Sequence, residues 1–167
     1  YIRQMKNSPQ FKELSTHGGA GYVKWADDTG ILATRNFRDY NFEFAEQIDG
    51  KNLKNIITAS HGCIGCPVRC KADLEFKDGR FKGQKGVRPE FEPMLALGAR
   101  CGLSDLDTLV HLDNLCSRLG IDSISTGGVI AFAMDLFDRN ILTIEETGGL
   151  NLGWGNGKSM EDLIRQI

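Results

Sequence analysis

Three cysteines fall within eight residues, as Cys63-Ile64-Gly65-Cys66-Pro67-Val68-Arg69-Cys70. Thiolates two and three residues apart lie on one tight loop and can converge on a single inorganic centre. Gly62 and Gly65 relax the backbone so that free N–H groups can point at sulfide or thiolate, and Pro67 stiffens the return. Arg69 adds a positive charge beside a centre that would be anionic. The spacing is neither the bacterial ferredoxin run nor the Cys-x3-Cys-x2-Cys order of radical enzymes that use S-adenosylmethionine. A cubane iron–sulfur cluster takes four ligands, so on that reading the fourth comes from elsewhere. Zinc is the competitor, because His61 lies two residues before Cys63 and would complete a Cys3His set. Spacing leaves iron–sulfur, zinc and a non-metal role open.

The other two of the five cysteines, Cys101 and Cys116, stand alone and are expected to be small buried apolar residues. The opening residues, Tyr1 to Gln10, carry no apolar signal core and do not begin with Met. The chain therefore reads as an excised segment of a larger protein from a reducing, cytoplasmic compartment, where a disulfide framework is not expected. With 167 residues it is long enough for one sizeable domain, residues 1–167, and hardly two. Lys and Arg number 20 against 22 Asp and Glu, a net charge of −2. That excludes both the basic footprint of a general nucleic-acid binder and an acidic tail. The longest apolar run, Val129–Met134, is far short of the roughly 20 residues of a membrane span.

The elements that must position the cysteine loop, residues 61–72, read as mostly helical. The fold class is all-α with one small β-hairpin. Residues 2–14 form a first helix, with His17 in the turn that follows. Residues 31–48 are irregular, their aromatics packing on neighbours, and Lys51–Ala59 form a short helix leading into the loop. After the loop, Leu74 to Lys82 alternate around Asp78-Gly79, a short-range hairpin signal. Ser104 is the expected N-cap of a helix running Leu106 to Leu119, with Gly120 as its stop. Ser123 or Ser125 opens the next helix, apolar through Val129–Phe137 and expected to be buried all round. Thr143 and Glu146 form a capping-box pattern, and Ser159 opens the last helix.

Five blocks in order carry a family resemblance. They are Thr34-Arg35-Asn36-Phe37, the Cys63 to Cys70 run, Pro89-Glu90-Phe91-Glu92 through Leu97-Gly98-Ala99, Leu119-Gly120-Ile121-Asp122 through Gly127-Gly128, and Trp154-Gly155-Asn156. Together they resemble the middle helical domain of the aldehyde ferredoxin oxidoreductase family, tungsten or molybdenum enzymes with two pterin ligands and a [4Fe–4S] cluster.

The resemblance implies roles. Cys63, Cys66 and Cys70 match three cluster ligands, the fourth belonging to a later domain. Glu92 matches a glutamate near the metal that handles protons, and Glu90 is its near neighbour. The pterin motif, Asp-x-x-Gly-Leu-(Asp or Cys), matches Ser117 to Asp122, so Ser117, Ile121 and Asp122 are the cofactor-binding candidates. Here a serine stands for the leading acid. Some members hold a mononuclear iron between subunits through a glutamate and a histidine; the matching positions are His111 and Glu161, with the types exchanged. They are expected either as an inter-subunit metal site in a homodimer or as an exposed, unliganded pair. The implied activity of the whole enzyme is oxidation of an aldehyde to a carboxylic acid, with electrons passed to ferredoxin and the remaining domains of the same chain required. A tungsten reductase of aromatic thioesters is a neighbouring reading. From a different class, a zinc-held helical binding module needs only Cys63, Cys66, Cys70 and His61.

Overall fold

In a computed structural model, which describes residues 2–167, the first expected helix is two. Helix α1 (Ile2–Lys6) ends before Asn7, and α2 (Pro9–His17) begins at Pro9. Proline disfavours helical backbone at the residue before it, and Ser8 instead accepts the Phe11 N–H as an N-cap. His17 thus ends α2 rather than sitting in the turn. A 3-10 turn, Gly19–Tyr22, leads into α3 (Val23–Asp28). Residues 31–48 are irregular, tied by an isolated bridge between Thr34 and Asp39. Of their aromatics only Phe42 is buried; Phe37, Tyr40 and Phe44 are largely exposed.

The segment expected as a helix before the cysteines is half 3-10 turn, Gly50–Asn55, and half strand β1 (Ile57–His61). Strand β1 pairs antiparallel with β2 (Lys71–Glu75), with His61 opposite Lys71, and β2 pairs antiparallel with β3 (Lys85–Val87). The β2–β3 hairpin is therefore longer than Asp78-Gly79 implied. Its ladder joins Glu75 to Lys85, and the intervening Phe76 and Phe81 turn inward. They form a small second core with Leu53, Leu74 and Val110. That apolar contact, which a two-residue turn would not allow, sets the hairpin's length.

Helix α4 (Phe91–Pro93) runs on as a π-helical stretch, Met94–Gly98, and a 3-10 turn, Ala99–Cys101. Helix α5 (Leu106–Leu119) starts from Asp105 rather than Ser104, the Asp105 carboxylate accepting the N–H groups of Asp107 and Thr108. Gly120, at φ 74°, ends it as expected. Helix α6 (Ser123–Asp138) is capped by Asp122, which accepts the Ser125 N–H at 2.6 Å. Helix α7 (Gly157–Gln166) is capped by Asn156, so Ser159 lies inside its first turn. Thr143 and Glu146 bond reciprocally, Thr143 N to Glu146 Oε2 at 2.8 Å, but hold a run of turns rather than a helix. Among the described residues no single helix is long and apolar enough to cross a membrane.

The main core gathers Met94, Leu97, Leu109, Leu112, Ile130, Met134 and Ile164 between α4 with its π stretch, α5, α6 and α7. Cys101 and Cys116 lie fully inside it, and burial pushes their thiols up to about 12 and about 11. Helix α6 is not buried all round: Val129 and Phe132 are 64% and 55% exposed. Its apolar residues circle the helix, yet only one side meets the core. On that side Gly127 touches the chain of Ala96 so closely that a Cβ would lie 2.6 Å from the Ala96 carbonyl, whereas at Gly128 the nearest atom is Arg100 Nη1 at 3.8 Å. Alanine gains about 1 kcal/mol over glycine inside a helix, and overpacking against fixed backbone costs about 1–3 kcal/mol. Gly127→Ala is therefore expected to lower the denaturation midpoint and Gly128→Ala to hold or raise it, measured side by side.

Candidate metal centre

The cysteine loop is the β1–β2 connection, residues 62–70. The antiparallel pair delivers its two ends side by side, and the base closes tightly: a Cβ at Gly62 would lie 2.8 Å from Arg69 Cα. Gly65 and Arg69 take positive φ, 73° and 56°, and the Cys66 N–H bonds the Cys63 carbonyl at 3.0 Å. All three thiols are free. Cys63 is exposed, and Cys66 and Cys70 are half-buried. Among the described residues no three His, Cys, Asp or Glu side chains are gathered closely enough to enclose a metal. Arg69 folds back to donate to the Ser60 carbonyl at 3.0 Å. His61, the candidate fourth ligand for zinc, lies along the β1–β2 face with Nε2 3.2 Å from Asp73 Oδ1.

Beside the loop is a cleft of about 430 Å³ whose walls include His61, Lys71, Arg88, Glu90, Asp113 and Ser117. The ends of β1 and β2 that flank the loop, the stretch from the end of β3 into α4, the inner face of α5 and the start of α6 meet there. Lys71 forms an ion pair with Glu90, a bond that raises the lysine above its ordinary value. Asp113 is buried, which lifts its carboxyl above the usual range although the Ser123 hydroxyl pulls the other way.

Of the sequence candidates, Ser117 lines the cleft, one helical turn beyond Asp113. Ile121 is half-buried against the main core, and Asp122 spends its carboxylate on capping α6, which holds it below its usual range. Glu92 is exposed in the first turn of α4, next to Pro93 on the cleft wall, while Glu90 points into the cleft. Lys71, Arg88 and Asp113 were not singled out from the sequence. For Asp113 a signal existed, since an acid four residues before Ser117 shares its helix face.

His111 and Glu161 do meet, with Nε2 and Oε1 3.4 Å apart, but they are not exposed: their side chains are 4% and 12% accessible. His111 stacks on Phe81 with ring centroids 4.3 Å apart and bonds Gln84 Oε1 through Nδ1 at 2.9 Å. Its Nε2 is buried and badly aligned for a hydrogen bond. Arg80 occupies Glu161 Oε2 and Arg165 occupies Oε1, each at 2.7 Å. A metal between His111 and Glu161 would have to displace both guanidinium groups. Burial holds the His111 imidazole below its ordinary value despite Glu161. Glu161, though its burial opposes ionisation, is brought below the carboxylate range by Arg165 and His111.

Below about pH 6.5 an unfolded His111 binds a proton that the folded one resists, so its contribution is present above that value and fades as pH falls. The urea midpoint of the wild type is expected to drop more steeply between about pH 7 and about pH 5.5 than that of His111→Gln. Equal slopes would remove His111 as the source.

Comparison with known proteins bears on the whole chain. The family model for aldehyde ferredoxin oxidoreductase, domains 2 and 3, matches residues 1–167. A tungsten-containing aldehyde ferredoxin oxidoreductase of Thermococcus kodakarensis is 31% identical over 99% of the chain, and one of Pyrococcus furiosus is 28% identical over 99%. An aliphatic sulfonate oxidoreductase, WOR-like subunit, of Pyrococcus furiosus is 30% identical over 100% of the chain. The chain spans only 26–27% of the length of these relatives. From end to end, then, the chain belongs to the aldehyde ferredoxin oxidoreductase family, as a piece of its second and third domains.

Proposed function

We propose that this chain is the cluster-bearing part of a tungsten–pterin oxidoreductase that converts aldehydes to carboxylic acids and passes the electrons through a [4Fe–4S] cluster to ferredoxin. The observation that carries the reading is the placement of three free thiols on one strand-to-strand loop, whose flanking residues His61 and Lys71 line a cleft, in a chain that matches the family along its whole length. The donor set fits an iron–sulfur cluster: three thiols on one loop, no disulfide, and cationic side chains close by to offset anionic charge. The fourth ligand lies outside this chain. The Cys3His alternative is disfavoured by the family match over residues 1–167; the His61 Nε2 contact with Asp73 leaves Nδ1 free and does not itself decide between them.

When bound, the tungsten centre supplies oxidation of the hydrated aldehyde by two electrons. The residues of this chain hold, orient and screen. Cys63, Cys66 and Cys70 are the cluster ligands. Ser117 offers a neutral hydroxyl to the pterin where an acid would bind more strongly, and Asp113, on the same face one turn earlier, brings a carboxylate to the same wall. Glu90 is committed to Lys71, which leaves Glu92 as the carboxylate free to take and return a proton. The exposed apolar face of α6 with Val129 and Phe132 is read as covered by the remaining domains. The isolated segment, lacking those domains, is inactive. The protein is cytoplasmic.

The test uses the full-length protein prepared without air. It is expected to carry tungsten and about four irons per chain, and to oxidise simple aldehydes. Glu92→Gln is expected to retain both metals and lose about 10²-fold or more in turnover, while Glu90→Gln loses less. Full activity in Glu92→Gln would overturn the role of Glu92. One zinc per chain with no iron would overturn the reading itself.

A further inference from the structure

Arg88 follows β3 and is 4% exposed. Its guanidinium donates through Nη1 to the Thr16 carbonyl at 2.9 Å and through Nη2 to the Cys70 carbonyl at 2.6 Å. Gly18 is pressed onto it: a Cβ there would lie 2.7 Å from Nε. The group is thus fixed on three sides, between the end of α2 and the last residue of the cysteine loop. It forms no ion pair with any described carboxylate; the nearby Glu90 is taken by Lys71. Both its partners are neutral carbonyls.

A guanidinium withdrawn from water without a counter-anion is a costly arrangement, and proteins keep one only where negative charge is supplied. The neighbouring candidates for that charge are the thiols of the loop. A cluster bound by thiolates is anionic, and it gains one further negative charge on taking an electron. A fixed cation at its edge stabilises the more negative state and so raises the reduction potential. Burial makes the effect large, because solvent screens exposed charges and not this one. Arg69 supplies the contrast within the loop itself: it adjoins Cys70 in the chain, but is exposed and turned to Ser60.

We propose that Arg88 is the resident countercharge of the iron–sulfur cluster, seating Cys70 through its main chain and setting the cluster's reduction potential. The inference rests on the cluster assigned above to Cys63, Cys66 and Cys70. Arg88 acts here as a positioning residue and not as a catalytic one.

The experiment is a dithionite titration of the full-length enzyme, followed by the electron paramagnetic resonance of the reduced cluster, with iron content measured alongside. Wild type, Arg88→Gln, Arg88→Lys and Arg69→Gln are compared. Arg88→Gln is expected to shift the midpoint to more negative potential than wild type, Arg88→Lys to lie between the two, and Arg69→Gln to shift much less than Arg88→Gln. Loss of iron in Arg88→Gln with iron retained in Arg88→Lys also supports the proposal, since the charge is then needed to hold the cluster at all. An unchanged midpoint in Arg88→Gln, a shift no larger than that of Arg69→Gln, or loss of iron in Arg88→Lys would overturn it. A wild-type enzyme without iron would overturn the cluster assignment, and this proposal with it.

Discussion

The side-chain amide of Asn114 holds the site to the helical core. From the middle of α5 it accepts the Val87 N–H at 2.8 Å and donates to the Val87 carbonyl at 3.0 Å, so that one side chain completes the outer edge of β3 as another strand would. A third bond, Nδ2 to the Val110 carbonyl at 2.8 Å, fixes the amide on its own helix. The approach is close enough that Gly86 is obligatory, a Cβ there falling 2.4 Å from Asn114 Oδ1. Each neutral bond is worth about 1 kcal/mol net, and stranding its partners in the interior costs about 1–3 kcal/mol more. The sheet is small, and without this clamp β3 would be a bare edge.

From Val87 the order passes along the chain in both directions. Forward, Arg88 reaches the cysteine loop and α2, Glu90 reaches Lys71, and Phe91 starts α4. Backward, β3 aligns β2, and β2 aligns β1, whose far ends carry the loop. The small apolar core of Leu74, Phe76, Phe81 and Val110 adds the burial that keeps the sheet against α5. His111 joins the same face by stacking on Phe81, and the ion-paired Glu161 extends the contact to α7. The loop's thiols and the cleft's carboxylates are positioned by one helix, although they come from separate parts of the sequence.

How much of this the sequence displays depends on the range of the forces involved. Local signals were legible. The Leu106 to Leu119 periodicity, the Gly120 stop, the buried Cys101 and Cys116 and the irregular residues 31–48 all follow from short-range chemistry. Caps slipped by a residue or more where several polar side chains compete, as Asp105 does with Ser104 and Asn156 with Ser159. Locally the sequence of β1 favours helix, because its partner lies across the cysteine loop and no local pattern in Ile57–His61 announces that pairing. The two-residue hairpin at Asp78-Gly79 gave way to burial of Phe76 and Phe81. In the site, the cysteines were plain from spacing. Arg88 was invisible, since nothing in Val87-Arg88-Pro89 says that the arginine turns inward to two carbonyls. The burial of His111 and Glu161 likewise depends on Arg80 and Arg165, which only the fold brings to them.

The group bound by the Cys63–Cys66–Cys70 loop decides between an electron-transfer domain and a zinc-held one. X-ray absorption at the iron and zinc edges of the full-length protein, prepared without air, reads this directly. The prediction is iron surrounded by sulfur with clear iron–iron scattering, lost when Cys63, Cys66 and Cys70 are replaced together by serine. Zinc bound by three sulfurs and one nitrogen, with no iron–iron scattering, would contradict it and leave a helical domain stapled by His61 and the three thiolates.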